Sequence, residues 1–231
     1  MNRPAGESDP TARDPGTEPG PLSPPGKSQA FFCDHPLGAA IVEVVATEGY
    51  REAGVGGIIA RAGVTRQEFD RLFSGKADAV QQVLESMIED FRRRVGGAYA
   101  GVPGWPGSLR AAAYEVVAWI EDHPHAYEFG MLGVLEAGEM PRLRREELFT
   151  WCAALIDAGR AVAPDPAAVP AAAALIAVGA VVDGLARHAS GEPDAGLVET
   201  VPKLMYGAVL PYLGGEAARR ELSARAPRGG R

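Results

Sequence analysis

Two groups of side chains in this sequence have types and spacings that suit chemistry. The first is Thr65-Arg66-Gln67, with Arg71 and Lys76 downstream. A guanidinium can bond two acceptors on guanine at once and a Gln amide can do the same on adenine, while Arg or Lys can hold a phosphate. The second is His123-Pro124-His125 with Glu128, an H-x-H-x-x-E pattern of metal-ligand types. Pro124 between the two histidines marks a junction of helices, so the pair reads as the end of one helix and the start of the next, and no metal is expected. No nucleophile–base set, phosphate-binding glycine loop or zinc-protease motif occurs. The sequence therefore argues against an enzyme and calls for no cofactor.

The first group sits on elements that can be read from residue types. Ile58 and Ile59 lie on a short helix, Ala62 lets a second helix approach, and Gly63 can take the left-handed conformation that ends the first. Val64 fills the angle between them. Thr65 caps the second helix, with Glu68 three residues on as the reciprocal partner of a capping box. Phe69, Leu72 and Phe73 then face a core. A helix, a glycine turn and a capped second helix make a helix-turn-helix, whose second helix enters the major groove of duplex DNA.

On these residues the stretch from about His35 to Val80 resembles the head of tetracycline-repressor (TetR-like) regulators. The matching features are Gly49-Tyr50, Ile58-Ile59-x-x-Ala62-Gly63-Val64-Thr65, Asp70-x-x-Phe73 and Lys76. The resemblance implies a DNA-binding transcriptional regulator, a repressor, whose affinity for a palindromic operator is set by a small hydrophobic ligand. It implies DNA contacts from Thr65, Arg66, Gln67, Arg71 and Lys76. Two departures bear on this. Asp70 stands where the family carries a phosphate-holding Tyr, and Gly54, Gly56 and Gly57 stand where the family begins its helix with polar residues. Residues 35–80 carry Arg51, Arg61, Arg66, Arg71 and Lys76 against Glu43, Glu48, Glu52, Glu68, Asp70 and Asp78, a net charge of −1. The alternative is thus a protein of the same fold that binds ligand or acts as a scaffold, with weak or lost DNA binding.

The remainder is expected to be helical throughout, giving an all-α chain of about nine helices: a three-helix head and a larger C-terminal domain over 81–213. Val80, Leu84, Met87, Ile88, Phe91 and Val95 form one stripe of a long helix starting near Lys76 and stopped by Gly96-Gly97 and then Gly101-Val-Pro-Gly-Trp-Pro-Gly107. Further helices are expected from Leu109 to before His123, from about His125 to Ala137, from Pro141 to Gly159, from about Ala167 to Ala189, and through Leu197 to Tyr212. Met87, Tyr114, Trp119, Tyr127, Phe129, Met131 and Trp151 are candidates to line a ligand cavity. Val178, Val181, Val182, Leu185, Leu204, Met205 and Val209 are candidates for a homodimer surface built as a four-helix bundle.

Composition sets the outer limits. Residues 1–30 are rich in Pro and Gly with no aromatic, and residues 214–231 form an Arg-rich end; both are expected to be disordered. The net charge of −7 over 231 residues argues against a non-specific nucleic-acid binder and leaves room for a sequence-specific one, for which the local surface facing the phosphates matters. Cys33 and Cys152 are far apart without metal spacing, which points to a reducing, cytoplasmic setting. No signal peptide is seen, and no membrane partner is expected.

Overall fold

A computed structural model describes residues 31–190 and 196–224. The expected disorder of 1–30 and 225–231 lies outside these residues. Every described element is helical, in the order α1 (Phe31–Asp34), α2 (Pro36–Glu48), α3 (Val55–Ala62), α4 (Arg66–Leu72), α5 (Lys76–Ala100), α6 (Trp105–Asp122), α7 (Glu139–Asp157), α8 (Ala173–Ala189) and α9 (Leu197–Glu221).

The head is built by short signals acting at helix ends. His35 caps α2 by accepting from the Leu37 N–H at 3.2 Å, and Pro36 starts the helix, where a missing N–H costs nothing. Gly63 ends α3 at φ 67°, with Gly63 and Val64 returning N–H bonds to Ala60 and Ile59. Thr65 then caps α4 in a complete capping box: the Glu68 carboxylate accepts from the Thr65 N–H at 2.7 Å, and the Thr65 hydroxyl accepts from the Glu68 N–H at 3.3 Å. Ile58, Phe69 and Phe73 are buried beneath these helices. Phe31 and Phe32 of α1 are buried in the same core, so the head begins before His35.

Behind the head, α5 and α6 pair closely, and α6 through α9 close around a second core of Trp105, Val117, Val178, Val201, Met205 and Val209. Four expectations are corrected here. The long helix α5 runs through Gly96-Gly97, the first of the expected stops, and ends at Ala100, where the second begins at Gly101; the Trp151 indole lies beside Gly96. The segment expected as a helix from His125 to Ala137 is a π-turn at Glu128–Leu132 followed by a 3-10 turn at Gly133–Glu136. Its glycines lie close to neighbouring side chains: a Cβ on Gly130 would lie 2.8 Å from the Met87 methyl, which could shift aside, and one on Gly133 2.7 Å from Val45 of the head. The apolar helix α8 begins at Ala173 and not near Ala167, beyond a turn that includes Pro170.

The fourth correction concerns the C-terminal end. The expected disordered tail from 214 is helical to Glu221, after a break at Gly214 with φ 77°. The cause is a fork-to-fork ion pair: Arg110 donates from Nε and Nη2 to the two Glu221 oxygens at 2.8 and 2.7 Å, and Glu221 is buried. Tail residues that look solvated by composition are thereby fixed to α6.

The backbone conformations give opposite signs for two glycine replacements. Gly63→Ala should destabilise the chain by about 1 kcal/mol, because a Cβ opposes the left-handed conformation. Gly57→Ala, inside α3 with open space around it, should stabilise by roughly 0.5–1 kcal/mol. Urea unfolding midpoints at constant slope measure both.

Candidate DNA-facing helix and ligand cavity

The outer surface of the head presents α4. Thr65, Arg66, Gln67 and Arg71 are exposed on or beside it. Their surroundings differ from the sequence expectation in charge. Arg66 is joined to Asp70 one turn along, Nε lying 2.8 and 3.0 Å from the two carboxylate oxygens. Arg61 pairs with Glu43 at 2.7 Å, and Arg51 with Glu136 of the 3-10 turn at 3.4 Å. Lys76 is half-buried; its ammonium donates to the Tyr50 carbonyl at 2.7 Å and lies 4.5 Å from the centre of the Tyr50 ring. The structure thus places Lys76 as a clasp on the turn between α2 and α3, where it is already bonded. Among the described residues, Arg71 is the basic side chain of 35–80 with neither an ion pair nor a carbonyl partner. Glu68 is held below the usual carboxylate range, first by the Thr65 N–H and then by the Thr65 hydroxyl, so its charge serves the cap.

Between α5, α6, α7, α8 and α9 lies an apolar cavity of about 180 Å³. Four of the expected ligand residues line it: Met87, Trp119, Tyr127 and Met131. The other three lie elsewhere. Tyr114 and Trp151 are half-buried outside the wall, and Phe129 is fully buried in the core that the π-turn shares with α2. The sequence reading missed most of the wall, which is aliphatic: Ile88, Val116, Leu148, Leu155, Val181 and Leu204 are examples. Aliphatic residues on a bundle helix give no sign of whether they meet another side chain or a space. Lining residues with polar side-chain groups are few, namely Thr200, Tyr127, Cys152 and Trp119, whose indole N–H is bonded to Asp90. Burial pushes the Cys152 thiol up to about 11, against a smaller opposing pull from the charge of Arg92. Arg92 and Arg145 lie over the Trp151 and Phe149 rings, 5.8 and 4.7 Å from their centres.

The residues expected at a dimer surface all lie on α8 and α9. Val178, Met205 and Val209 are buried, and Val181, Val182, Leu185 and Leu204 help line the cavity. The most exposed large apolar side chains of α8 and α9 in the single chain are Leu175, Ile176, Val198 and Leu210, with Ile176 69% exposed. The histidine pattern is also resolved: the His123 ring lies between Phe32 and Trp119 and bonds the Trp119 carbonyl at 2.8 Å. Among the described residues no group of three ligating side chains could hold a metal ion, and no helix is long and apolar enough to cross a membrane.

One contact joins the two regions. Trp119, on the cavity wall, donates its indole N–H to the buried Asp90 carboxylate at 2.8 Å. Its ring lies against Phe32 of the head, 5.9 Å between centres, and meets Phe91 edge-on at 5.2 Å.

This arrangement is an all-α fold, a helix-turn-helix head on a larger helical bundle, and solved regulators share it. Among solved structures it is similar to the fatty acid degradation regulator FadR of Bacillus halodurans, with TM-score 0.64 and 15% identity over 75% of this chain and 96% of that one. FadR of Bacillus subtilis, solved in complex with stearoyl-CoA, gives 0.63 and 14% over 78% and 97%. A TetR-family transcriptional regulator of Streptomyces coelicolor gives 0.55 and 20% over 84% and 94%. No family model matches the sequence, and no curated protein matches it.

Two outcomes follow from the site. Trp119→Phe keeps a ring on the wall but removes a donor from a buried carboxylate, which should cost about 1–3 kcal/mol in urea unfolding. A thiol titrating near 11 is almost wholly protonated at pH 8, so Cys152 should react slowly with maleimide there and quickly in denaturant. Fast native labelling, with the mass shift located at Cys152, would contradict its placement.

Proposed function

We propose that this protein is a homodimeric DNA-binding transcriptional regulator, a repressor, released from a palindromic operator by a small apolar ligand. The observation that carries the reading is the Trp119 junction: one side chain is both wall of the apolar cavity and neighbour of Phe32 in the head. A ligand that favours one position of Trp119 over another shifts the head as far as the two positions are coupled, by at most its own differential affinity. DNA then changes ligand affinity by the same factor as ligand changes DNA affinity. The contact of Gly133 with Val45 offers a second route, because the π-turn preceding it carries Met131 on the cavity wall.

The wall chemistry suits an acyl or other hydrocarbon group better than a polar molecule, with Thr200, Tyr127 and Cys152 as its polar contacts. The FadR structure that holds stearoyl-CoA has the same fold, which favours an acyl ligand here. The exposed Leu175, Ile176, Val198 and Leu210 supply an apolar face on α8 and α9 for the second copy. In such a dimer two α4 helices would sit about one DNA turn, roughly 34–36 Å, apart or somewhat more.

The pairing of Arg51, Arg61 and Arg66 with acids, and of Lys76 with carbonyls, favours as second reading a ligand-binding protein of this fold with weak DNA affinity. One experiment separates them. The full chain is used to select duplexes from a randomised pool at 50–200 mM salt, and saturated fatty acids and their CoA thioesters are then added to the selected complex. Enrichment of a palindrome, steep weakening with salt and release by one acyl length would support the regulator. A folded dimer that retains no duplex at the lowest salt, yet gains thermal stability with an acyl probe, would leave only the second reading. Ala177→Phe, which places a ring in the cavity wall, should abolish the response to ligand while DNA binding persists.

A further inference from the structure

Asp70 is the residue that fits least well with a DNA-facing helix, since a carboxylate near phosphates repels them. Its geometry suggests another role. Arg66 is the first residue of α4 and Asp70 lies one turn further, and both carboxylate oxygens lie within hydrogen-bond distance of Nε at 2.8 and 3.0 Å. Nε is the inner nitrogen of the guanidinium. Among the described residues the two terminal amino groups of Arg66 have no acceptor. The guanidinium also lies 6.0 Å from the centre of the Phe69 ring, and Phe69 is fully buried. The group is therefore held along its inner edge and backed by a fixed ring, and its outer end carries two parallel donors into solvent.

We propose that Asp70 is a positioning residue for sequence recognition: it holds Arg66 so that the terminal amino pair meets the O6 and N7 acceptors of one guanine in the major groove. This rests on the reading of the head as a DNA binder. Two parallel donors match those two acceptors, and the bidentate contact is the strongest discriminator a single side chain offers among base pairs. An exposed i, i+4 ion pair stabilises an isolated helix only slightly. Its effect in the groove is different, because an arginine already fixed in one rotamer loses less freedom on contact. The pair is neutral as a unit, so it adds base discrimination and little attraction for phosphate. Glu68 cannot take this part, because its carboxylate is engaged by the Thr65 N–H and hydroxyl at 2.7 and 2.8 Å.

The test uses the full-length chain and the duplex it enriches from a randomised pool. Each G·C pair of that duplex is exchanged in turn, and binding is measured for wild type, Asp70→Ala, Asp70→Asn, Arg66→Ala and the double variant. Thermal unfolding confirms that each is folded. For wild type, exchange of one G·C pair per half-site should weaken binding about tenfold or more. Asp70→Ala should bring that ratio to about twofold or less, and should steepen the salt dependence by roughly one phosphate contact as the released Arg66 charge seeks the backbone. Arg66→Ala should lose the same discrimination, and the double variant should lose no more than Arg66→Ala alone. Asp70→Asn should fall between wild type and Asp70→Ala. If Asp70→Ala instead binds the selected duplex more tightly with the guanine preference intact, Asp70 is only repulsive and the inference is overturned. A folded wild type that enriches no duplex at all overturns the DNA-binding reading itself, a result distinct from any change in base preference.

Discussion

The bond from the Trp119 indole to Asp90 organises the centre of this molecule. Asp90 is a carboxylate buried among apolar side chains, and such a group is tolerated only when its acceptors are used. Trp119 uses one at 2.8 Å and Arg93 pairs with the other oxygen. That requirement fixes the rotation of α6 on α5, and with it the ring that Phe32, Phe91 and His123 pack against. The cavity wall, the first helix of the head and the end of α6 therefore share one side chain. A bundle held by aliphatic packing alone could slide by small steps. A buried polar bond resists such sliding and favours discrete positions.

The parts of the fold that sequence reveals are those with local causes. Gly63, Thr65 and Glu68 act on backbone groups within three residues, and the structure shows the left-handed turn and capping box they imply. The stripe from Val80 to Val95 likewise yields α5 from Lys76. The parts that sequence conceals depend on distant partners. Gly96 reads as a helix stop until Trp151 is seen against it, and the residues after 213 read as a loose tail until Arg110 is seen on Glu221. The segment 128–136 reads as one helix because its periodicity is intact, while Gly130 and Gly133 admit close neighbours that favour π and 3-10 turns.

The candidate sites divide in the same way. Placement of Thr65, Arg66, Gln67 and Arg71 on one exposed helix follows from the motif, whereas the bonds that occupy Lys76 and Arg66 do not. Aromatic and Met residues drew attention as cavity lining because they are large and few, yet most of the wall is Val, Leu, Ile and Ala. Residue type tells little about which side of a two-faced apolar helix meets a space. On α8 and α9 the residues beside the cavity match in composition the exposed Leu175, Ile176, Val198 and Leu210.

If α4 reads DNA as proposed, the Arg66–Asp70 pair also bears on how that helix can change over generations. An arginine in the first turn stands at the positive end of the helix dipole, and an aspartate facing a duplex meets a wall of phosphates. Under the proposed role the arginine alone loses its base preference and the aspartate alone repels phosphate, so a lineage replacing either one first passes through a less discriminating form. The two positions are then expected to drift as a couple, in step with the base pair they face. An operator and its reader would diverge by paired jumps, and the space of reachable sequences is narrower than two independent sites would allow.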